Sequence, residues 1–326
     1  MKAIPVDINW SPDLSIFASE PFLKAVGDEC GWLGGMDPSG ELRCVLPYTI
    51  VRKAIFRMVR FRVETIALVE DLTVEEEKSF LNSAMQYFRS IGADMTIPAT
   101  TNTIFRTFPE GADVAPYGTY ILDLDSPEED LMSNLSASHR RKVRQAMKSG
   151  AKIHSGREYM ETAYTLVRDT FKRSSISFMD FNSFSRMIDS LGDNVKILVA
   201  EYEGVVQGAI VVPYSIYSAY YVYGGSIPSP SVGSMNLLHW EAIRQFRSEG
   251  VRRYDFVGTR IDPEKGSKHE GLKAFKERFG GDLHQGYMWK YSLNPLKYRL
   301  YNLAARMRSG GDIVDAERHK LKVAQS

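Results

Sequence analysis

A lysine set among aromatic residues just before a double glycine is the first place where chemistry can be read from this chain: Gly271-Leu-Lys-Ala-Phe275-Lys276-Glu-Arg-Phe279-Gly280-Gly281. It follows the strand-like run Arg253-Tyr254-Asp255-Phe256-Val257-Gly258, which carries an acid near its end. An ammonium that Phe275 and Phe279 shield from water suits a developing oxyanion, and a donor placed there lowers an acyl-transfer barrier by about 3 to 4 kcal/mol. Asp255 lies where open α/β sheets place ligand-contacting groups, so it is a candidate to take the proton of an attacking amine. Binding the amides of the following turn is an equal alternative. Tyr223 offers a hydroxyl that could orient a carbonyl, and Arg260 a guanidinium for phosphate or carboxylate.

Two further features suit anions. Arg140, Arg144 and Lys148 follow one another at four-residue spacing, so on a helix they form one stripe. That stripe reads equally as a solvated face and as a phosphate contact. The second feature is Tyr223-Gly224-Gly225, a Ser/Pro-rich loop from Ser226 to Gly233, and then a helix beginning at Ser234. A strand passing through small residues into a helix N-terminus can present free amides to a ligand. Gly225, Gly233, Ser234 and Asn236 are therefore the candidates to hold an acyl donor; a plain connection capped by Ser234 is the alternative.

Other chemistries fit poorly. The six histidines are scattered without metal-ligand spacing, so no metal site is expected. There is no nucleophile elbow, GxGxxG or Walker lysine loop. Cys30 and Cys44 form no CxxC, which excludes a disulfide framework and argues against a catalytic thiol. A net charge of +1 excludes a surface coated for nucleic acid, so any polyanion contact must be local and no DNA partner is expected. No segment approaches the about 18 apolar residues of a membrane span, and the start has no apolar signal core. The expected location is the cytoplasm, with peripheral contact at the inner face of the membrane as the most a membrane role would involve.

The elements that position these residues fall into two groups. In the first half, a helix over Glu20 to Glu29, strands around Gly31 to Met36 and Leu42 to Val51, a helix over Val74 to Ile91 and a strand near Asp94 to Ile97 give an α+β pattern. After Pro116-Tyr-Gly118 the pattern restarts with a strand over Thr119 to Leu124. One helix is then expected from Ser126-Pro127 to Gly150, with Leu131, Leu135, Val143 and Met147 on its apolar side. Helices over Glu158 to Lys172 and Phe181 to Leu191 precede an antiparallel meander of Val195 to Tyr202, Val205 to Tyr214 and Ser218 to Gly224. A helix over Ser234 to Glu249, the Asp255 strand, the Lys276 helix and a strand over Gly286 to Tyr291 complete the order of an acyltransferase fold of the GNAT type. Beyond it, Leu296, Leu300, Leu303 and Met307 form a helical stripe flanked by Lys297, Arg299, Arg306 and Arg308. This stripe is expected to pack back on the first half, with an anionic membrane surface as the other option.

Four motifs in order and spacing give the chain a specific resemblance. They are Ser138-His-Arg140-Arg141-Lys-Val-Arg144-Gln-Ala146-Met-Lys148-Ser-Gly150, Leu238-His-Trp240-Glu241-Ala-Ile243, Gly250-Val-Arg-Arg-Tyr254-Asp255-Phe256-Val-Gly258, and Gly271-Leu272 through Phe275-Lys276-Glu-Arg-Phe279-Gly280. Together they resemble the FemAB-like transferases, the group that includes the peptidoglycan interpeptide-bridge enzymes. The resemblance covers roughly residues 120 to 292, with only a general likeness from Phe22-Leu23 to Leu46-Pro47 before it.

It implies a mixed α/β (α+β) fold of two GNAT-like domains, each a mostly antiparallel central sheet flanked by helices, with the site in the cleft between them. The expected divisions are residues 1–118, a degenerate first domain; 119–292, the catalytic domain; and 293–326, a C-terminal helix and tail packed back on the first. By the same resemblance Lys276 aligns with the lysine of the family's Phe-Lys motif, with Phe275 beside it in the substrate site. The implied activity is N-acyl transfer to an amine of a peptidoglycan or polysaccharide precursor, small or lipid-linked, with no permanently bound cofactor. The donor is aminoacyl-tRNA or acyl-CoA. The sequence lacks both the charged helical hairpin of some bridge enzymes and the Arg/Gln-x-x-Gly-x-Gly/Ala pattern of coenzyme A sites, so neither donor is selected. A coenzyme A dependent transferase acting on an amino sugar or small amine, and an idle module that only holds a glycan or nucleotide precursor, are the competing readings.

Overall fold

The computed structural model describes residues 1–324. In the first half, β1 (Lys2–Val6), α1 (Glu20–Val26), β2 (Glu29–Met36), β3 (Leu42–Lys53), β4 (Phe56–Phe61), β5 (Ile66–Ala67), α2 (Val74–Ser90) and β6 (Met95–Thr96) follow one another. Helix α2 starts at a capping box, in which Thr73 and Glu76 each satisfy the other's backbone N–H. Its apolar side, Phe80, Leu81, Ala84, Met85 and Phe88, is buried against the sheet. The helix expected to reach Glu29 stops at Val26, and Glu29 opens β2 instead, paired with Ile50.

The second half begins with β7 (Asp113–Asp123) and continues through α3 (Glu128–Asn134), α4 (Ala137–Lys148), β8 (Lys152–Ser155), α5 (Met160–Arg173) and α6 (Phe181–Ser190). The single helix expected over 126–150 is broken. Leu135 and Ser136 are extended, the Ser136 hydroxyl caps the His139 amide, and the Ser136 amide donates to the Arg278 carbonyl at 2.9 Å. On α4, Val143 is buried, whereas Met147 is 50% exposed and lies off the apolar face.

Strands β9 (Val195–Tyr202), β10 (Val205–Pro213), β11 (Ala219–Tyr220) and β12 (Tyr223–Ser226) come next, then α7 (Ser234–Ser248), β13 (Arg253–Asp255), α8 (Lys268–Glu277) and β14 (Asp282–Ser292). The meander's third strand changes partner midway. Tyr221 N–H donates to the Asp255 carbonyl at 2.9 Å, while Val222 N–H donates to the Val211 carbonyl at 3.3 Å. Thus β11 runs parallel to β13 in one sheet, and β12 runs antiparallel to β10 in another. The two sheets splay from this point.

Both sheets are mostly antiparallel, in a mixed α/β chain. The larger has ten strands and spans both halves in the order β1-β2-β3-β4-β6-β14-β7-β13-β11, with β5 paired to β3; the smaller is β12-β10-β9-β8. Strand β14 is the seam: Asp282 to Lys290 pair with β7, then Tyr291 and Ser292 pair with β6. Trp289 on β14 sits 5.3 Å from Phe61 and 5.1 Å from Phe105, ring centre to ring centre. Such pairs add about 0.5 to 1.5 kcal/mol each beyond their buried area, so the seam is a packed core rather than a loose contact. A second shared core joins Phe17, Phe22 and Trp32 of the first half to Val199, Val211 and Val257 of the second.

Helices α9 (Pro295–Ser309) and α10 (Ile313–Ala324) close the chain. Lys290 Nζ, 1% exposed, binds Asp312 at 2.8 Å, Asp315 at 2.9 Å and Asn302 at 3.0 Å, which ties both helices to β14. Helix α9 meets the first half through Lys297 on Asp94 and Tyr301 on Phe56. Its leucine stripe does not make that contact: Leu296, Leu300, Leu303 and Met307 all face solvent. Among the described residues, no helix is long and apolar enough to cross a membrane.

Candidate functional site

Strand β13 lies between β7 and β11 and ends in a turn that its sequence alone would not favour. Val257 has φ 42° and Gly258 φ 25°. Left-handed backbone is a real outlier for a β-branched residue and costs on the order of 1 to 3 kcal/mol, so the surroundings must impose it. They do so from three sides. Asp255 Oδ1 accepts from the Val257 amide at 2.7 Å and from the Thr119 hydroxyl. The Gly258 amide donates to the Thr101 carbonyl at 2.9 Å, and a Cβ at Gly258 would lie 2.8 Å from Thr101 Cβ. From α8, Lys276 Nζ donates to the carbonyls of Gly258, at 2.7 Å, and Val257.

The ammonium and the carboxylate of this turn are both buried, at 9% and 4% exposure. Burial pulls Lys276 down to about 8, against the opposing pull of the Asp255 charge. It also pushes Asp255 above the usual carboxylate range, opposed by the bonds from Thr119 and Val257 and by Arg253 and Lys276. Phe275 packs on His139 and His239, with ring centres 5.3 and 5.5 Å away, and Phe279 is fully buried. These rings pack on the two histidines, and the partners of the Lys276 ammonium are the two turn carbonyls.

Thr101 links this turn to a cavity of about 450 Å³ between the halves, lined from the first by Phe22, Arg60, Arg62 and Asn102 and from the second by Phe178 and Tyr223. Arg60 and Arg62 alternate along one side of the chain at the end of β4. Arg60 Nε donates to Pro98 O at 3.2 Å; Arg62 donates to Val26 O at 2.7 Å and Thr49 Oγ1 at 3.3 Å. Among the described residues, neither makes an ion pair with a carboxylate. Burial, followed by the neighbouring Arg60 charge, lowers Arg62 to about 9. Two buried guanidiniums held only by neutral acceptors are poised for an oxyanion. Glu64, in the loop after β4, is pushed up to about 7 by burial and by the Asp255 charge. None of these three was singled out from the sequence. Alternating Phe56-Arg-Met-Val-Arg60-Phe-Arg62 was the signal that could have marked a strand there.

The remaining candidates lie elsewhere. Tyr223 reaches the cavity, with its hydroxyl 3.9 Å from Met187 Sδ. Arg260 is not a solvated loop residue; it pairs with Glu317 on α10 at 3.1 Å and is largely buried. Arg140 and Arg144 line a separate groove of about 820 Å³ with Trp240, Glu128 and Glu129, so acids distant in sequence face the basic stripe in space. Arg140 also binds the carbonyls of Ser133 and, at 2.7 Å, Leu135, closing the end of α3. Lys148 is exposed beyond that groove.

Part of the segment from β12 into α7 is tied down. The amides of Ser226, Ile227, Ser231 and Ser234 are taken by Thr170 Oγ1, Gln207 O, Gln207 Oε1 and Ser231 O, at 2.8 to 3.2 Å. A Cβ at Gly233 would lie 2.2 Å from the Lys142 carbonyl, and one at Gly225 2.4 Å from the backbone of Leu166. These glycines admit α4 and α5, and Ser234 and Asn236 are buried behind them. Gly225 and Gly233 are packing contacts in this conformation, whereas Asn236 Nδ2 is buried without a hydrogen-bond partner among the described residues. The thiol of Cys44 is buried and pushed up to about 12, so it is a poor nucleophile at neutral pH.

Comparison with known proteins places this geometry among relatives. The FemAB family profile matches residues 104–205 and 202–306. A lipid II:glycine glycyltransferase of Staphylococcus epidermidis is 24% identical over 262 residues, covering 59% of this chain and 63% of that protein. The chain therefore spans less than two thirds of that relative's length. A lipid II:glycine glycyltransferase of Staphylococcus aureus is 22% identical over 317 residues, covering 73% of this chain and 71% of its own. In fold, the chain is similar to the crystal structure of FemX, with a TM-score of 0.66 and 17% identity over 92% of this chain and 99% of the other.

Proposed function

The chain belongs to the FemAB family, and on that premise we propose that it transfers an aminoacyl group from aminoacyl-tRNA to an amine of a lipid-linked peptidoglycan precursor. The observation that carries this reading is the position of Lys276. The lysine of the family's motif is buried on a strained turn whose far side, through Thr101, reaches the cavity holding Arg60, Arg62 and Tyr223.

In the reaction, the acceptor nitrogen attacks the ester carbonyl carbon, and the carbonyl oxygen becomes an oxyanion. Lys276 exchanges a main-chain carbonyl for that oxygen and stabilises it. Collapse breaks the ester bond, and the tRNA ribose hydroxyl leaves with a proton equivalent to the one the amine gives up. Asp255 accepts two hydrogen bonds within the turn and serves to hold it. Arg60 and Arg62 seat an oxyanion of the acceptor, with Tyr223 beside them. The division expected at residues 118/119 falls inside β7 (Asp113–Asp123), so the catalytic unit is proposed to begin with that strand and to end near 292/293 with β14.

The engagement of the Ser226, Ile227, Ser231 and Ser234 amides supports aminoacyl-tRNA over coenzyme A, because a pyrophosphate finds fewer free donors there. The test is a donor screen with a mixed aminoacyl-tRNA pool or acyl-CoAs as donors, and lipid-linked or nucleotide-linked muramyl peptides as acceptors. Product is expected from the tRNA pool alone. Transfer from acyl-CoA alone overturns the donor, and no transfer from either overturns the activity.

A further inference from the structure

Among the described residues, nothing covers one apolar face of helix α9. Leu296, Leu300, Leu303 and Met307 recur at intervals of four, three and four residues, so they share one side, and they are 79%, 49%, 57% and 82% exposed. The helix is nonetheless held. On its other side Lys297 Nζ binds Asp94 at 3.0 Å and the Ile55 carbonyl at 2.9 Å, the Tyr298 hydroxyl binds Asp113, and Tyr301 packs edge-on against Phe56. The Lys297 bond also brings the β3–β4 hairpin alongside, and its tip residue Ile55 is 60% exposed. A fixed platform with several exposed large apolar side chains is a site of interaction rather than scattered surface.

Charge selects the occupant. Residues 295–309 contain Lys297, Arg299, Arg306 and Arg308 and no aspartate or glutamate. Arg299 and Arg306 are exposed beside the leucine side, Arg306 with Asp315 3.9 Å away, and Lys53 is exposed at the hairpin. A second copy of the same face would bring these cations together, so self-pairing is disfavoured. An anionic bilayer instead accepts the leucines at the boundary of headgroups and acyl chains, while the arginines reach the phosphates. We propose that α9, with the β3–β4 hairpin tip, docks the protein onto an anionic lipid surface. This inference does not depend on the transfer reaction.

The test uses the full chain and sedimentation with vesicles of phosphatidylcholine alone or with roughly one third phosphatidylglycerol. Wild-type protein is expected to sediment with the anionic vesicles only, less so at high salt. Leu300→Glu with Leu303→Glu, and separately Lys53→Glu with Arg299→Glu, are each expected to lower partitioning by about tenfold or more. Melting temperature and transfer to a water-soluble acceptor should not change, because these side chains are exposed and lie outside the cavity. Absence of binding to anionic vesicles overturns the proposal, as does undiminished binding by both variants. A dimer in light scattering that Leu300→Glu dissociates also overturns it, by assigning the face to self-association.

Discussion

Replacing Lys276 with methionine separates a catalytic ammonium from a structural one. The change removes hydrogen bonds to the carbonyls of Val257 and Gly258. Leaving two buried carbonyls unpaired costs about 1 to 3 kcal/mol each. Against this, the folded protein no longer buries a charge: lowering the lysine from 10.5 to about 8 corresponds to about 3 kcal/mol at neutral pH. The two effects nearly offset, so the melting temperature should move by only a few degrees. Loss of an oxyanion donor instead costs roughly 10²- to 10³-fold in kcat. Steady-state aminoacyl transfer should therefore show a large fall in kcat with KM little changed.

The pH dependence has a definite sign. Below about 8 Lys276 is charged in both folded and unfolded chains; between about 8 and 10.5 the unfolded chain binds the extra proton, so stability rises with pH. Buried tyrosines raised above their ordinary value, Tyr221 among them, oppose this above 10. The wild-type stability relative to Lys276→Met should therefore grow from pH 8 to 10. Activity should fall over the same interval as the ammonium is lost, and Lys276→Arg should move that alkaline limb upward. A kcat for Lys276→Met within about threefold of wild type would refute the oxyanion role. So would an alkaline limb that stays near pH 8 in Lys276→Arg.

Two other substitutions test the cavity and the loop. Arg62→Lys keeps a cation but loses the fork, and with Arg60→Gln as a second variant it should raise the acceptor KM about 10- to 100-fold, with kcat less affected; an unchanged KM removes the anion seat. Gly233→Ala forces a side chain into left-handed backbone and against the Lys142 carbonyl, so it should destabilise by about 2 kcal/mol or more in thermal melts. An intact melting temperature with weakened donor affinity would instead make the loop an open cradle.

The readable parts of the site were those encoded locally. Phe275, Lys276, Phe279 and the double glycine lie within a few helical turns, so spacing and resemblance together marked the lysine before its surroundings were known. Strands β9 and β10 are short apolar runs joined at Glu203-Gly204 and buried almost throughout, and they needed no tertiary information. The arginines of the cavity were not legible in the same way, because their lack of carboxylate partners is a property of the folded interior. The break at Ser136 depends on a carbonyl offered by Arg278, far along the chain. Similarly, glycines 225 and 233 suggested ligand access, whereas what approaches them is helix backbone. Residue type encodes the need for space but not its occupant. The leucine stripe of α9 was visible as a stripe, but its direction was set by Lys297, Tyr298 and Tyr301 on the opposite side.

The seam strand also bears on how the chain assembles. Strand β6, which pairs with β4, has its other edge filled by Tyr291 and Ser292. During synthesis the first half must wait with that edge open until Tyr291 and Ser292 have left the ribosome. The cleft then closes when one late strand inserts between β6 and β7, so its wall and the join between the halves form in a single event. A nascent chain stopped before residue 282 would lack both the wall between the halves and the anchor that Lys290 provides for α9, and would expose two strand edges where the finished protein has none.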